Sequence, residues 1–208
     1  TSANLSAVNL YYSIDGSNYT ELIEENVSNA FPANDTRTYN WTVENTITPF
    51  FRVKVFDPDV ENNSDIYNVS ASNSKIIPFL NITSPNGNET YIVGDNLSVR
   101  WDKNGTLTNV KIDISTDDFN NSIVSLHNNS STVSNNERYD TAIPDMISKT
   151  VKVRVTSEND TDARDLSDAN FRIRGAFNAV TPANGARLPI GYNTTVSWNT
   201  TGDITNVR

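Results

Sequence analysis

Asparagine carries most of the chemistry open to this chain. In the triplet Asn-x-Ser/Thr the side-chain amide nitrogen is an acceptor for an N-linked glycan. Seventeen such triplets occur, at Asn4, Asn18, Asn26, Asn34, Asn40, Asn62, Asn68, Asn81, Asn88, Asn96, Asn104, Asn120, Asn128, Asn129, Asn159, Asn193 and Asn199. Asn is the commonest residue, at 31 copies, beside 44 Ser and Thr. Random placement of these residues would give about seven triplets. A shared preference for β-turns raises the co-occurrence of Asn with Ser and Thr, yet several acceptors lie in alternating runs instead. In Leu97-Ser98-Val99-Arg100-Trp101 the apolar residues take odd positions, so Asn96 shares the solvent face with Ser98 and Arg100. Asn40 alternates with Tyr39, Trp41 and Val43, and Asn81 sits between Leu80 and Ile82. A glycan must stay in water, so outward placement is what modification requires. The expected surface is that of a secreted, densely N-glycosylated protein.

Other chemistry finds little support. His127 is the single histidine, and its polar surroundings, Leu126-His127-Asn128-Asn129, read as a surface loop rather than a Ser-His-Asp site. Cysteine is absent, which excludes disulfides, thiolate zinc and thiol nucleophiles. Asp57, Asp59 and Glu61 follow one apolar run, and Glu158, Asp160, Asp162 and Asp165 follow another. Alternating carboxylates in a loop can gather around calcium, which takes six to eight oxygen ligands. No Asp-x-Asp-x-Asp-Gly loop is completed, however, so solvated acidic turns and no cofactor are expected. Asp113, Asp117 and Asp118 read as hairpin-turn residues. With no Gly-rich phosphate loop either, an enzyme is not expected. A net charge of -9 argues against nucleic acid, whose phosphates need clustered Lys and Arg. No apolar run approaches the roughly 20 residues that span a bilayer. No signal peptide opens the chain, so the expectation is a processed or internal segment.

These side chains must be carried by strands. Ile and Val number 34 against 9 Leu, Thr adds 23, and Gln is absent. Stiff β-branched residues suit a pleated surface, which predicts an all-β chain. Alternation places strands near 79–84, 90–93, 96–102, 108–116, 122–126, 138–143, 149–157 and 168–174. Ser84-Pro85-Asn86-Gly87, Gly94-Asp95, Asn104-Gly105 and Pro144-Asp145 separate them with turn chemistry. Thr20 to Asn26 (TELIEEN) alone hints at a helical turn. Trp101 and Trp198 alternate with Val99 and Val196 and are expected in the core, as is Trp41 in a strand with Tyr39 and Val43.

The strands recur. Residues 80–111 match 177–208 without a gap at an offset of 97, pairing Pro85 with Pro182, Gly94 with Gly191, Trp101 with Trp198 and Gly105 with Gly202. Val8 to Ser13 matches Val110 to Ser115 at an offset of 102. Tyr39 to Val43 matches Tyr139 to Ile143, and Phe51 to Val55 matches Val151 to Val155, both at 100. Four acceptors recur as well: Asn96 with Asn193, Asn18 with Asn120, Asn26 with Asn128, and Asn62 with Asn159. The reading is therefore tandem immunoglobulin-like β-sandwiches of about 100 residues. Residues 1–76 form an incomplete repeat without its opening strands, 77–174 a complete one, and 175–208 the opening strands of a third. The orphan end is expected to complete a domain of the next subunit or of a following stretch of chain.

Ile82-Thr83-Ser84-Pro85-Asn86-Gly87, Glu89-Thr90-Tyr91-Ile92-Val93-Gly94, Val99-Arg100-Trp101 and Val110-Lys111-Ile112-Asp113-Ile114-Ser115-Thr116-Asp117 carry a family resemblance. They are similar to the Ser/Thr-rich immunoglobulin-like repeat of the Kre9/Knh1 type, found in fungal wall proteins and large prokaryotic surface proteins. Asn88 replaces the usual second Gly after Asn-Gly, and Ala186-Arg187-Leu188 fills the Glu-Thr-Tyr slot of the third register. The resemblance implies an extracellular or cell-surface spacer, adhesin or wall component. A glycosylated repeat unit of a filament, stalk or sheath follows, its partner being itself, through head-to-tail copies or continuing repeats. The alternative is an adhesin or carbohydrate-binding module, for which Tyr11, Tyr12, Tyr67 and Tyr192 are the available aromatics.

Overall fold

A computed structural model describes residues 5–29, 35–58, 66–127 and 131–205. The fold is all-β, with no helix among the described residues and with several sheets, an arrangement consistent with a β-sandwich. The chain divides into two compact units, Thr1–Pro78 and Phe79–Arg208.

Unit 1 holds β1 (Ala7–Ser13), β2 (Glu21–Ser28), β3 (Thr48–Phe56), β4 (Tyr67–Val69) and β5 (Ser74–Ile76). They form one sheet in the order β2-β1-β3-β4, with β5 also paired to β3. The TELIEEN segment is strand β2 and not a helical turn. Its Leu22 and Glu21 lie opposite Tyr11 and Tyr12, so the β1 edge overrides the local helix-forming glutamates. Residues 39–43 form no strand. Trp41 nevertheless packs inward, stacked on Phe51 at 5.8 Å and tilted against Tyr12 at 5.0 Å.

Unit 2 opens with β6 (Phe79–Ser84), β7 (Thr90–Ile92), β8 (Asn96–Asn104), β9 (Asn109–Ser115) and β10 (Ile123–Ser125). It continues with β11 (Val133–Ser134), β12 (Arg138–Ala142), β13 (Ser148–Ser157), β14 (Arg164–Leu166) and β15 (Phe171–Arg174). One sheet runs β12-β8-β6 and another β10-β9-β13-β15-β7. Strict alternation buries Leu97, Val99 and Trp101 of β8 and leaves Asn96 and Arg100 outside. The first sheet gives Leu80, Ile82, Leu97, Val99 and Trp101 to the core, and the second gives Val110, Ile112, Ile114, Val151, Val153, Val155, Phe171 and Ile173. Each such side chain is worth roughly 1.5–3 kcal/mol when taken out of water. The core is sealed at one end by Asn135, which accepts from Trp101 Nε1 at 2.8 Å and donates to the Leu107 carbonyl at 3.0 Å.

Two last strands, β16 (Ala176–Thr181) and β17 (Ser197–Thr201), form a separate two-stranded sheet. Its base rests on the rest of unit 2. The amide of Asp203 donates to Asp145 Oδ1 at 3.1 Å. A Cβ at Gly202, whose φ is +83°, would lie 2.9 Å from Val93 Cγ2, so that close approach and left-handed backbone require glycine.

Strand pairing repeats in detail. Phe79 to Ile82 face Asn104 to Trp101 in β6–β8, and Ala176 to Ala179 face Thr201 to Trp198 in β16–β17. Both ladders then shift register, at Ser84 opposite Arg100 and at Thr181 opposite Ser197. Likewise Tyr12 faces Val53 as Ile114 faces Val153. Thr48 and Phe51 meet Ile76 and Ser74 as Ser148 and Val151 meet Ile173 and Phe171.

Candidate functional site

Twelve of the seventeen Asn-x-Ser/Thr asparagines lie among the described residues, and all twelve are exposed. Asn81 is on β6, Asn96 and Asn104 at the ends of β8, Asn26 on β2, Asn68 on β4 and Asn199 on β17, while Asn18, Asn40, Asn88, Asn120, Asn159 and Asn193 lie between strands. Asn4, Asn34, Asn62, Asn128 and Asn129 fall outside the described residues. The asparagines outside these triplets are mixed: Asn45, Asn73, Asn121, Asn136, Asn170, Asn178 and Asn184 are exposed too. Asn9, Asn29, Asn86, Asn109 and Asn135 are half-buried. Each spends its side chain on structure: Asn9 Oδ1 accepts the Asn26 amide, Asn29 Nδ2 donates to the Leu5 carbonyl, and Asn86 binds Asp168 through both amide atoms. Asn109 Nδ2 donates to Glu158 Oε2 at 2.8 Å. No described triplet asparagine is half-buried, although Asn18 and Asn120 also use their side-chain amides in local turns.

Two acceptors stand on matching hairpin turns. After β1, Ser13 Oγ donates to Asp15 Oδ1 at 2.8 Å, and that carboxylate accepts the amides of Ser17 and Asn18 and the side-chain amide of Asn18. After β9, Ser115 Oγ donates to Asp117 Oδ1 at 2.9 Å, and Asp117 accepts the amides of Asn121 and Ser122. The Asn18 amide, then the Ser17 amide and the Asn18 and Ser13 side chains, hold the Asp15 carboxyl far below its ordinary value. At Asp117 desolvation pulls upward, but the Ser115 hydroxyl and the Ser122, Asn121 and Asn120 amides outweigh it, and the net shift is downward.

The remaining acidic candidates are dispersed. Asp165 Oδ2 accepts the Ile82 amide at 2.6 Å, Glu158 holds Asn109, and Asp160 Oδ1 accepts the Asp162 amide. Asp113 pairs with Arg154 at 2.8 Å, and Asp118 with Lys152 at 3.2 Å. Asp57 is buried, while Asp59 and Glu61 lie outside the described residues. Among the described residues no three His, Cys, Asp or Glu side chains converge as a metal site would. No helix there is long and apolar enough to cross a membrane.

His127 is a correction: the ring is buried, not on the surface, with Ser125 Oγ within 3.2 Å of both ring nitrogens. Its polar sequence neighbours concealed the apolar Leu126 beside it, which joins the core. Among the tyrosines, Tyr12 is buried, Tyr11 packs on Phe56, Tyr67 lies under Lys54 and Tyr192 is exposed.

A second surface lies on the last two strands. Trp198 was expected in a core like Trp101, yet it is 50% exposed against 1%. Val196 is 61% exposed against 0% for Val99. Phe177 is also exposed, whereas Leu80 at the matching position is buried. The cause is that β16–β17 has no second sheet over it among the described residues. Unit 1 presents the reverse case. Among the described residues its sheet has no β6–β8-type pair over Val8, Leu10, Val53 and Val55, and a groove of about 190 Å³ opens there, lined by Val8, Leu10, Val27, Tyr39 and Val55 among others.

No protein-family model matches the chain, and neither does any curated protein or solved structure.

Proposed function

We propose that this chain is a structural, N-glycosylated unit of an extracellular filament, stalk or sheath, made of tandem immunoglobulin-like modules of the Ser/Thr-rich wall-protein kind. The observation that carries it is the division among asparagines: every described acceptor is exposed, and the half-buried ones all lie outside acceptor triplets. A module whose surface is given over to carbohydrate has its backbone screened from proteases and its strand edges kept from indiscriminate pairing. The matched ladders and matched Ser-Asp turns support a repeating module, whose role is to span distance. Units would join covalently or by exchange of strands. An adhesin or sugar-binding role would draw on the exposed Trp198, but that residue matches a core tryptophan and is better used in a joint between modules.

Intact mass and glycopeptide mapping of material from its natural source test this. The reading requires a mass well above the 23.0 kDa polypeptide and glycans at exposed acceptors such as Asn81 and Asn96. A chain of bare polypeptide mass overturns it.

A further inference from the structure

Unit 1 has an apolar sheet face with no second sheet on it among the described residues, and β16–β17 is an apolar hairpin likewise uncovered. We infer that the hairpin of one copy docks on the open face of unit 1 of a second copy, completing a sandwich in the register that unit 2 already contains. The inference rests on the structural role proposed above and names the partner: another copy of this chain.

Unit 2 is the template. There β12 pairs with β8, with Tyr139 opposite Val99 and Thr141 opposite Leu97. Carried over, residues 39–43 become the edge strand beside β17, with Tyr39 opposite Val196 and Trp41 opposite Thr194. This explains why 39–43 is not a strand in a single copy: the strand that would pair with it belongs to its neighbour. Main-chain hydrogen bonds would form along the edge and side chains would enter the core, as in strand addition generally.

Side-chain sizes favour a copy of this chain over an arbitrary hairpin. Where unit 2 sets Thr141 beside Leu97, the joint sets Trp41 beside Thr194, so a large residue on one partner meets a small one on the other. Tyr12 and Phe51 stand for Ile114 and Val151, and in return Ala179 stands for Ile82. Cores accept such exchanges when total volume is kept.

Polar details agree. The Val153 amide donates to Ser167 Oγ, which donates to the Pro85 carbonyl at 2.8 Å. The Val53 amide donates to Ser70 Oγ in the same way at 3.1 Å, and the carbonyl awaiting that hydroxyl is Pro182 of the second copy. Glycans are also accommodated. Asn18, Asn40, Asn193 and Asn199 match Asn120, Asp140, Asn96 and Asp102, all exposed in the complete unit. Asn68 alone matches a half-buried residue, Asp165.

The chain lacks cysteine, so a disulfide can report the register. In the full chain carrying Thr38→Cys and Ser197→Cys, facing Cα atoms should lie about 4.5–5.5 Å apart, within disulfide reach. Mild oxidation should give a ladder of multimers that reductant collapses to one band. Thr38→Cys with Asn199→Cys, two residues out of register and about 7–8 Å apart, should give at least tenfold less. Adding Val196→Asp should abolish the ladder. Sedimentation of the unsubstituted chain should show association that rises with concentration. A disulfide confined within one copy, equal ladders from both cysteine pairs, or a monomer at every concentration overturns the inference. Glycopeptide mapping fails independently: a glycosylated monomer removes the joint and leaves the coat, and a bare polymer does the reverse.

Discussion

Trp101 and Trp198 show at the residue scale how one side chain in one strand position acquires two energetic roles. Trp101 is enclosed by both sheets and its Nε1 is satisfied by Asn135. Trp101→Ala should therefore cost about 3–5 kcal/mol in chemical unfolding of unit 2, as large aromatic deletions do. Trp198→Ala should cost less than about 1 kcal/mol in dilute protein, since half its surface is already wet. Equal costs would mean that β16–β17 is already covered. Asp15 offers a second test. Its folded pKa lies below the unfolded value of about 3.9, so the turn's stabilisation is complete above that value and is lost as pH falls through the folded one. Carboxyl NMR should show Asp15 still ionised where a free aspartate is protonated, and Asp117 shifted the same way. A midpoint at the ordinary value for Asp15 would contradict the turn geometry.

Among elements, side-chain polar ties join the strands of unit 2 beside their backbone ladders, and Asn135 is the clearest. Its side chain links the turn before β12 to Trp101 on β8 and to the Leu107 carbonyl. Asn135→Ala leaves the indole N–H unpaired and should cost about 1–3 kcal/mol, read by thermal or urea unfolding; a neutral effect would mean that water replaces the amide. Alternation made most of these strands legible from sequence, because Leu97-Ser98-Val99-Arg100-Trp101 and Val151 to Val155 each bury one face. Strands β11 and β14, two and three residues long, are too short to show a period. The TELIEEN segment misled because its glutamates favour helix locally, while the β1 edge that claims it is a tertiary feature. Residues 39–43 alternate as a strand should, yet no strand pairs with them among the described residues. The exposure of Asn81 and Asn96 was legible from strand parity, and that of Asn18, Asn88 and Asn120 from their turn surroundings. The buried His127 was not, since only tertiary packing covers it.

For the whole molecule, the two units share strand registers and differ in how many sheets the described residues form. Unit 2 closes two sheets over one core, while unit 1 repeats the registers of only one of those sheets. A sheet with one apolar face open should fluctuate more than a closed sandwich, because fewer apolar contacts oppose opening. Amide hydrogen exchange on the full chain, followed from dilute to concentrated solution, reads this directly. In dilute protein, amides of 39–43 and 194–198 should exchange far faster than those of 110–114. On concentration they should slow by at least about tenfold, with 110–114 unchanged. Protection of 39–43 already present in dilute monomer, or no change on concentration, would contradict a unit that is finished by its neighbour.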